Sequence, residues 1–403
     1  MSTVRITPSA LHGEVRVPAS KSAAHRALIA AFLAGGGEVS LSATSEDIFA
    51  TQKALTALQN GEAMIDCHES GSTLRFLIPL AAACGRTVTF TGKGKLPERP
   101  IDEYLKLLPQ HGVQCAYSGR LPLTISGQLT PGRYEIAGDV SSQYLTGLLL
   151  ALPVLSGDSE LVLTTSLQSK PYVDMTLAVM RDFGVIAKET AQGYFVPGNQ
   201  QYRQTAYTVE GDWSQAAFFL VGGALTGDVT VMGLNRSSAQ GDKRIVEVLR
   251  AFGADITQTD TTVTVKKSPL HGITLNVSDI PDAVPAIAAA AACAEGVTVI
   301  TGAERLKYKE SDRLQAVAEN LRKAGVNVLQ TADGLQIEGG HPHGAALNGF
   351  NDHRIVMAMS VLALAADGET TITDAESVNK SYPDYFIDYN RAGGKADVIR
   401  DGK

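Results

Sequence analysis

Long, almost uninterrupted apolar segments recur along the chain, each opened by polar residues and closed by glycine. The first covers 27–34, follows Pro18-Ala19-Ser20-Lys21-Ser22-Ala23-Ala24-His25-Arg26, and stops at Gly35-Gly36-Gly37. The others cover 76–85, 145–157, 216–227, 284–296 and 355–368. Such runs predict buried helices, the first with Ser20 as its N-cap and glycine at its end. A short β-branched stretch follows each one, at 38–41, 87–90, 160–163, 229–231, 297–300 and 370–372, and reads as a strand. A second, amphipathic helix comes next in every case, at 48–58, 101–108, 173–183, 244–252, 314–324 and 385–392, ahead of a glycine. Four of those glycines lead into further expected strands at 113–115, 185–187, 254–256 and 326–328.

One unit of buried helix, strand, amphipathic helix and strands is therefore repeated six times, with a period of roughly 50 to 70 residues. At 403 residues the chain is too long for one ordinary core. Six units predict two lobes of three, with a joint near Thr208-Val209-Glu210-Gly211. Positions 1–17 read as strand and are expected to pair with the later lobe, so the division is 20–209 against 1–19 plus 210–403. No linker is rich enough in Pro or Ser for a loose tether, which predicts a hinge.

Composition narrows the function without naming it. A net charge of −7 argues against broad nucleic-acid or anionic-membrane binding while leaving room for a local basic pocket. The first residues lack the layout of a signal peptide and no apolar run has bilayer length, so a cytoplasmic location is expected. Cys67, Cys84, Cys115 and Cys293 form no CxxC pair and read as thiols rather than disulfides or metal ligands. His341-Pro342-His343 has no carboxylate or cysteine beside it, and no metal or cofactor is expected.

The mouths of the buried helices carry the chemistry. Parallel helices would gather Lys21, Ser22, Arg26, Arg75, Ser141, Ser142 and Gln143 in one lobe, and Asp282, His353 and Arg354 in the other. Helix openings ordinarily favour Asp and Glu, so arginines there point to a small polyanion, phosphate or carboxylate. Lys309, Arg313 and Lys380 place further cations at the openings of outer helices. Glu310, beside Lys309, is a candidate general acid or base; a solvated capping residue is the plainer reading. Asp282 is a candidate base, with a plain N-cap as its alternative. There is no GxxxxGK[ST] and no Gly-x-Ser-x-Gly, so the expected chemistry is acid/base work on bound anions.

Nine short motifs, in order along nearly the whole chain, carry a resemblance. They are Ser20-Lys21-Ser22 with Arg26, Ser70-Gly71-Ser72-Thr73-Leu74-Arg75, Glu98-Arg99-Pro100-Ile101, Ser141-Ser142-Gln143-Tyr144, and Ser169-Lys170-Pro171-Tyr172-Val173-Asp174. The rest are Ile280-Pro281-Asp282-Ala283, Lys309-Glu310-Ser311-Asp312-Arg313, Asn351-Asp352-His353-Arg354 and Lys380-Ser381-Tyr382-Pro383-Asp384-Tyr385-Phe386. Together they resemble the 5-enolpyruvylshikimate-3-phosphate synthase family of enolpyruvyl transferases. The resemblance implies a two-lobed inside-out α/β barrel, each lobe three copies of a βαβαββ unit, the lobes closing on ligand. It implies transfer of the enolpyruvyl group of phosphoenolpyruvate to the 5-hydroxyl of shikimate 3-phosphate, by a monomer without cofactor. Lys21, Ser22, Arg26, Ser141, Ser142, Gln143, Ser169, Tyr172, Asp282 and Lys309 are then expected to hold shikimate 3-phosphate. Lys21, Gly71, Arg99, Gln143, Arg313, Arg354 and Lys380 are expected around phosphoenolpyruvate, with Lys21, Asp282 and Glu310 catalytic.

Departures from the family pattern are Ala19 where many members have Gly, Glu69 where Asn is frequent, and Arg305 where some have Asn. The nearest rival is the enolpyruvyl transferase acting on UDP-N-acetylglucosamine, which resembles Asn-Gly-Ala-Lys-Asn at the first lysine and carries a loop cysteine. Here Ser22 follows Lys21, and 91–98 contains no cysteine. A phospholigand-binding module without activity and an RNA-end-processing enzyme are the rivals from outside that chemistry; acidic net charge counts against RNA.

Overall fold

The computed structural model describes residues 2–400; Met1 and 401–403, which fall in the later lobe expected from sequence, lie outside the described residues. The chain divides into two compact units, Ala19–Val209 (the N-terminal unit) and Met1–Pro18 with Glu210–Lys403 (the C-terminal unit). The N-terminal unit holds α1 (Lys21–Leu33), α2 (Glu46–Asn60), α3 (Gly71–Ala83), α4 (Asp102–Leu107), α5 (Ser142–Ala151) and α6 (Lys170–Asp182). The C-terminal unit holds α7 (Trp213–Thr226), α8 (Ile245–Ala251), α9 (Val284–Ala292), α10 (Arg313–Lys323), α11 (His353–Leu364) and α12 (Tyr385–Arg391). The odd-numbered helices are the apolar runs of the sequence, and they are buried. All nine residues of α9 and all twelve of α11 are inaccessible or nearly so. The alanines of α9 bring its backbone close to α7 and α11. The even-numbered helices are the amphipathic ones, buried on one face only.

Sheet topology repeats with the helices. Met64–Asp66 runs parallel to Val88–Thr91, which pairs antiparallel with Leu123–Gly127, which in turn pairs antiparallel with Val113–Tyr117. Among the described residues five four-stranded sheets follow this plan, and Val39–Ser40 with Tyr207–Thr208 makes a sixth, parallel pair. The first residues complete two sheets of the C-terminal unit. Ser2–Thr7 lies between Thr370–Ile372 and Lys395–Arg400, and His12–Arg16 runs parallel to Asp228–Met232.

Nearly all elements fall where the hydrophobic pattern puts them, but the strand expected at 185–187 does not form. Regular pairing starts at Lys188–Thr190 instead. The reason is a side chain acting as a strand: Gln200 Oε1 accepts from the Ile186 N–H at 2.9 Å, and its Nε2 donates to the Ile186 carbonyl at 2.8 Å. With both backbone groups met by one amide, Ile186 needs no ladder partner.

Helix α3 contains a second such repair. Pro79 lies inside it and has no N–H, so the carbonyl of Arg75, four residues earlier, loses its helical donor. The Tyr104 hydroxyl supplies the missing bond at 2.8 Å and also reaches the Tyr144 carbonyl of α5 at 3.0 Å. Gly147 makes room for this joint, because a Cβ there would stand 2.6 Å from the Arg75 carbonyl oxygen. One buried phenol thus fixes α3, α4 and α5 to one another just behind the α3 and α5 mouths. Tyr104→Phe should lower unfolding free energy by about 1–2 kcal/mol, since buried carbonyls lose a donor. Urea unfolding of the variant checks this; a loss below about 0.3 kcal/mol would mean the carbonyls find another donor.

Candidate active site

In the N-terminal unit the mouths of α1, α3 and α5 carry the predicted residues. Ser20 caps α1 and accepts from Ala23 N–H, leaving Lys21 and Ser22 half-buried in the first turn. Lys21 Nζ lies 2.8 Å from Asp47 Oδ2, a buried carboxylate in the first turn of α2. Arg26, 2% exposed, donates from Nε to Thr176 Oγ1 at 2.8 Å, from Nη1 to the Ser22 carbonyl at 2.5 Å, and from Nη2 to Thr146 Oγ1 and the Tyr172 carbonyl. Its guanidinium also lies over the Phe76 ring. All these partners are neutral. Burial pulls Arg26 down to about 10, a shift that Tyr172 and Tyr207 partly oppose.

Arg75, 3% exposed, is bound the same way. It donates to Gln143 Oε1 at 2.6 Å and to the Pro100 carbonyl at 2.8 Å, and lies over Tyr144. Neither Arg26 nor Arg75 has a carboxylate partner among the described residues. Two buried guanidinium charges without an anion cost several kcal/mol. Ser141 caps α5, accepting from Gln143 N–H, and Ser142 is buried at its first position. Ser169 precedes α6 with φ of 56°, a left-handed conformation that is strained for serine and concentrates at functional positions. Gly71 opens α3, and a Cβ there would fall 2.7 Å from Cζ of Arg99; the missing side chain is what lets that guanidinium lie against the helix mouth. A cavity of about 620 Å³ in this unit, lined by Leu28, Phe32, Leu55 and Arg86 among others, holds none of these residues.

The C-terminal unit gathers its share around one carboxylate. Asp282 sits in a single 3-10 turn, Pro281–Ala283, whose cap position is held by Ile280, while Ala283 holds that of α9. The Asp282 Oδ1 lies 2.9 Å from Arg313 Nη1 and 3.4 Å from Lys309 Nζ, and its Oδ2 lies 3.1 Å from Arg354 Nη2. The plain N-cap reading of Asp282 is therefore set aside: three cations hold it. Arg313 also donates to both oxygens of Asp352, at 2.8 and 3.2 Å. Burial opposes the Arg313 charge, but Asp352, Asp282 and Glu310 outweigh it and raise its pKa. Burial likewise works against ionised Asp352, and Arg313 reverses that, so the Asp352 carboxyl titrates below the usual range. Glu310 Oε2 is 2.7 Å from His353 Nδ1. Lys380, buried, donates to the Asn351 carbonyl at 2.7 Å. Glu310, Asp352 and His353 place ligand-type atoms within 4.8 Å of one another, and Arg313 already answers their charge.

Sequence reasoning missed Asp47, Thr146, Thr176 and the structural work of Asp352. Asp47, Thr146 and Thr176 are polar and buried within α2, α5 and α6, and Asp352 is the buried N-cap of α11, signals visible in the sequence pattern of those helices. Arg305, one of the departures from the family pattern, donates to the Ser278 carbonyl at 3.0 Å.

His25 stands one turn beyond Lys21, fully buried, with Nδ1 2.7 Å from Thr51 Oγ1 and Nε2 unpartnered. Burial, with Lys21 and Arg26 adding to it and Asp47 opposing, pulls its pKa from 6.5 to about 3. Between those values the unfolded chain binds a proton that the folded chain refuses. Stability is therefore lost as pH falls through that window. His25→Asn should lessen the loss between about pH 7 and pH 4.5 by roughly 2–3 kcal/mol, read by urea unfolding at each pH. Equal losses in variant and wild type would show that other groups set the acid sensitivity.

Comparison with known proteins gives the same direction. A family model described as EPSP synthase (3-phosphoshikimate 1-carboxyvinyltransferase) matches residues 6–64 and 57–388. The chain is 42% identical to the 3-phosphoshikimate 1-carboxyvinyltransferase of Clostridium kluyveri and 40% identical to that of Clostridium novyi, in each case over all of both chains. Among solved structures it is similar to EPSP synthase from Acinetobacter baumannii, with TM-score 0.83 and 28% identity over 99% of this chain and 100% of that one. The mixed α/β fold, the repeated helix mouths and these full-length matches lead to one assignment: the chain belongs to the EPSP synthase (3-phosphoshikimate 1-carboxyvinyltransferase) family of transferases.

Proposed function

We propose that this chain transfers the enolpyruvyl group of phosphoenolpyruvate to the 5-hydroxyl of shikimate 3-phosphate and releases phosphate, the sixth step of the route to chorismate and the aromatic amino acids. The observation that carries the reading furthest is the pair Arg26 and Arg75, buried cations bound only to neutral groups. A phosphorylated substrate supplies the negative charge that the protein does not. Shikimate 3-phosphate is assigned to Arg26 with Ser22, Ser141, Ser142, Ser169 and Tyr172, and to Asp282 and Lys309. Gly71 and Arg99, and separately Arg313, Arg354 and Lys380, serve phosphoenolpyruvate, while Lys21 and Gln143 serve both ligands.

The chemistry adds O–H across the enol double bond and then removes phosphate. Asp282, an anion ringed by Lys309, Arg313 and Arg354, takes the proton of the attacking hydroxyl. Glu310 and Lys21 handle the proton that joins the methylene carbon and later leaves the methyl group of the tetrahedral adduct. His353 Nδ1–H steadies the Glu310 carboxylate at 2.7 Å. Electron balance closes within the substrates, because the bond formed to oxygen is matched by the loss of phosphate and the return of the double bond. A cytoplasmic monomer is part of the proposal. Among the described residues no helix is long and apolar enough to cross a membrane.

The discriminating measurement is phosphate release from phosphoenolpyruvate with shikimate 3-phosphate as acceptor, run beside UDP-N-acetylglucosamine. Release is expected with the former only, and its absence would sink the proposal. In the same assay Glu310→Gln, folded as judged by circular dichroism, should lose turnover by at least ~10²-fold. A variant rate equal to wild type would remove Glu310 from the proton transfers.

A further inference from the structure

We propose that Arg75 is a positioning residue that dictates which face of the Gln143 carboxamide meets the substrates; the inference rests on the function proposed above. A carboxamide is nearly symmetric in shape and can present either its oxygen or its NH2 group to a ligand. Gln143 occupies the second position of α5 and has two side-chain partners. Its Oε1 accepts from Arg75 Nη1 at 2.6 Å, and its Nε2 donates to Ser72 Oγ at 3.0 Å. A guanidinium can only donate. The reversed amide would set NH2 against N–H, so Arg75 allows one orientation. Nε2 carries two hydrogens and Ser72 takes one, which leaves an N–H committed to an acceptor such as a hydroxyl or phosphate oxygen.

The way Arg75 is held argues that orientation, rather than stability, is its purpose. Its Nε is buried with no hydrogen-bond partner, and its other bonds go to the Pro100 carbonyl and the face of Tyr144. It is the fifth residue of α3, close to the positive ends of both α3 and α5, where a cation is disfavoured. A methionine of similar length would fill the space without these penalties. The backbone is fixed as carefully as the side chain: the Arg75 carbonyl is the one that Tyr104 caps opposite Gly147.

A double-mutant cycle on the whole enzyme tests this. Arg75→Met, Gln143→Ala and the pair are compared by kcat/KM for phosphate release with both substrates. Each single variant should lose at least ~10-fold, and the pair should fall no more than ~3-fold below Gln143→Ala alone, because Arg75 acts through a group already removed. A pair that loses the product of the two single effects would overturn the proposal. So would a loss in Arg75→Met that vanishes once rates are corrected for the folded fraction at the assay temperature. If the methionine variant does not fold, Arg75→Gln takes its place in the cycle, since a carboxamide can donate or accept and no longer enforces one Gln143 orientation, and the coupling criterion is unchanged. Wild-type turnover is the control for the reading itself: no phosphate release by wild type sinks the proposed function, whereas release with an additive cycle sinks only the role of Arg75.

Discussion

A guanidinium removed from water must meet a negative charge, and the two units of this protein answer that demand in opposite ways. In the C-terminal unit the answer is internal: Arg313 lies between Asp352, Asp282 and Glu310, and Arg354 shares Asp282. In the N-terminal unit Arg26 and Arg75 receive hydroxyls, carbonyls, a carboxamide and aromatic faces, but no anion. The first arrangement makes a cluster of paired charges whose members hold one another in place. The second leaves two buried cations among neutral partners, and the proposed phosphorylated substrate would complete their electrostatics. A chain with a net charge of −7 can still attract a phosphorylated substrate, because the uncompensated charge is local and buried.

The packing behind these charges follows from helices that are apolar on every side. Several polar side chains buried among such helices are tied to partners on another helix. Thr146 and Thr176 meet each other and Arg26; Thr51 links His25 to Thr73, which bonds Ser70 at the head of α3. These short chains of hydroxyls set how far one helix mouth stands from the next. The residues at those mouths take part of that spacing from contacts made deeper in the helices.

The sequence made the elements readable because both periodicities are clean and repeat six times: apolar runs for buried helices, β-branched stretches for strands. What it could not reveal was how distant side chains satisfy one another. The pair Lys21 and Asp47 is close in sequence yet belongs to two helices, and Arg313 with Asp352 spans two repeats. The strand at 185–187 failed for the same reason, since Gln200 supplied an unanticipated partner for Ile186. A plain N-cap stayed open as the alternative to a base for Asp282 because its neighbours in sequence suit a helix start. The cations that hold it in space, Lys309, Arg313 and Arg354, came from motifs about 30 and 70 residues away.

The placement of the first strands bears on how the chain is made. Ser2 bonds Glu376, 374 residues later, and Ser2–Thr7 fills the interior of a sheet whose other strands are Ala346–Leu347, Thr370–Ile372 and Lys395–Arg400. At about 5–20 residues per second, synthesis leaves that segment without its partners for roughly 20 to 75 s, while the whole N-terminal unit emerges and folds. During that interval it presents unpaired strand edges to other nascent chains. The alternation of Arg5 and other polar positions with Val4 and Ile6 keeps one face of the waiting strand soluble. Translation order and sheet order run against each other here, and the charged face of a six-residue strand helps to bridge the delay.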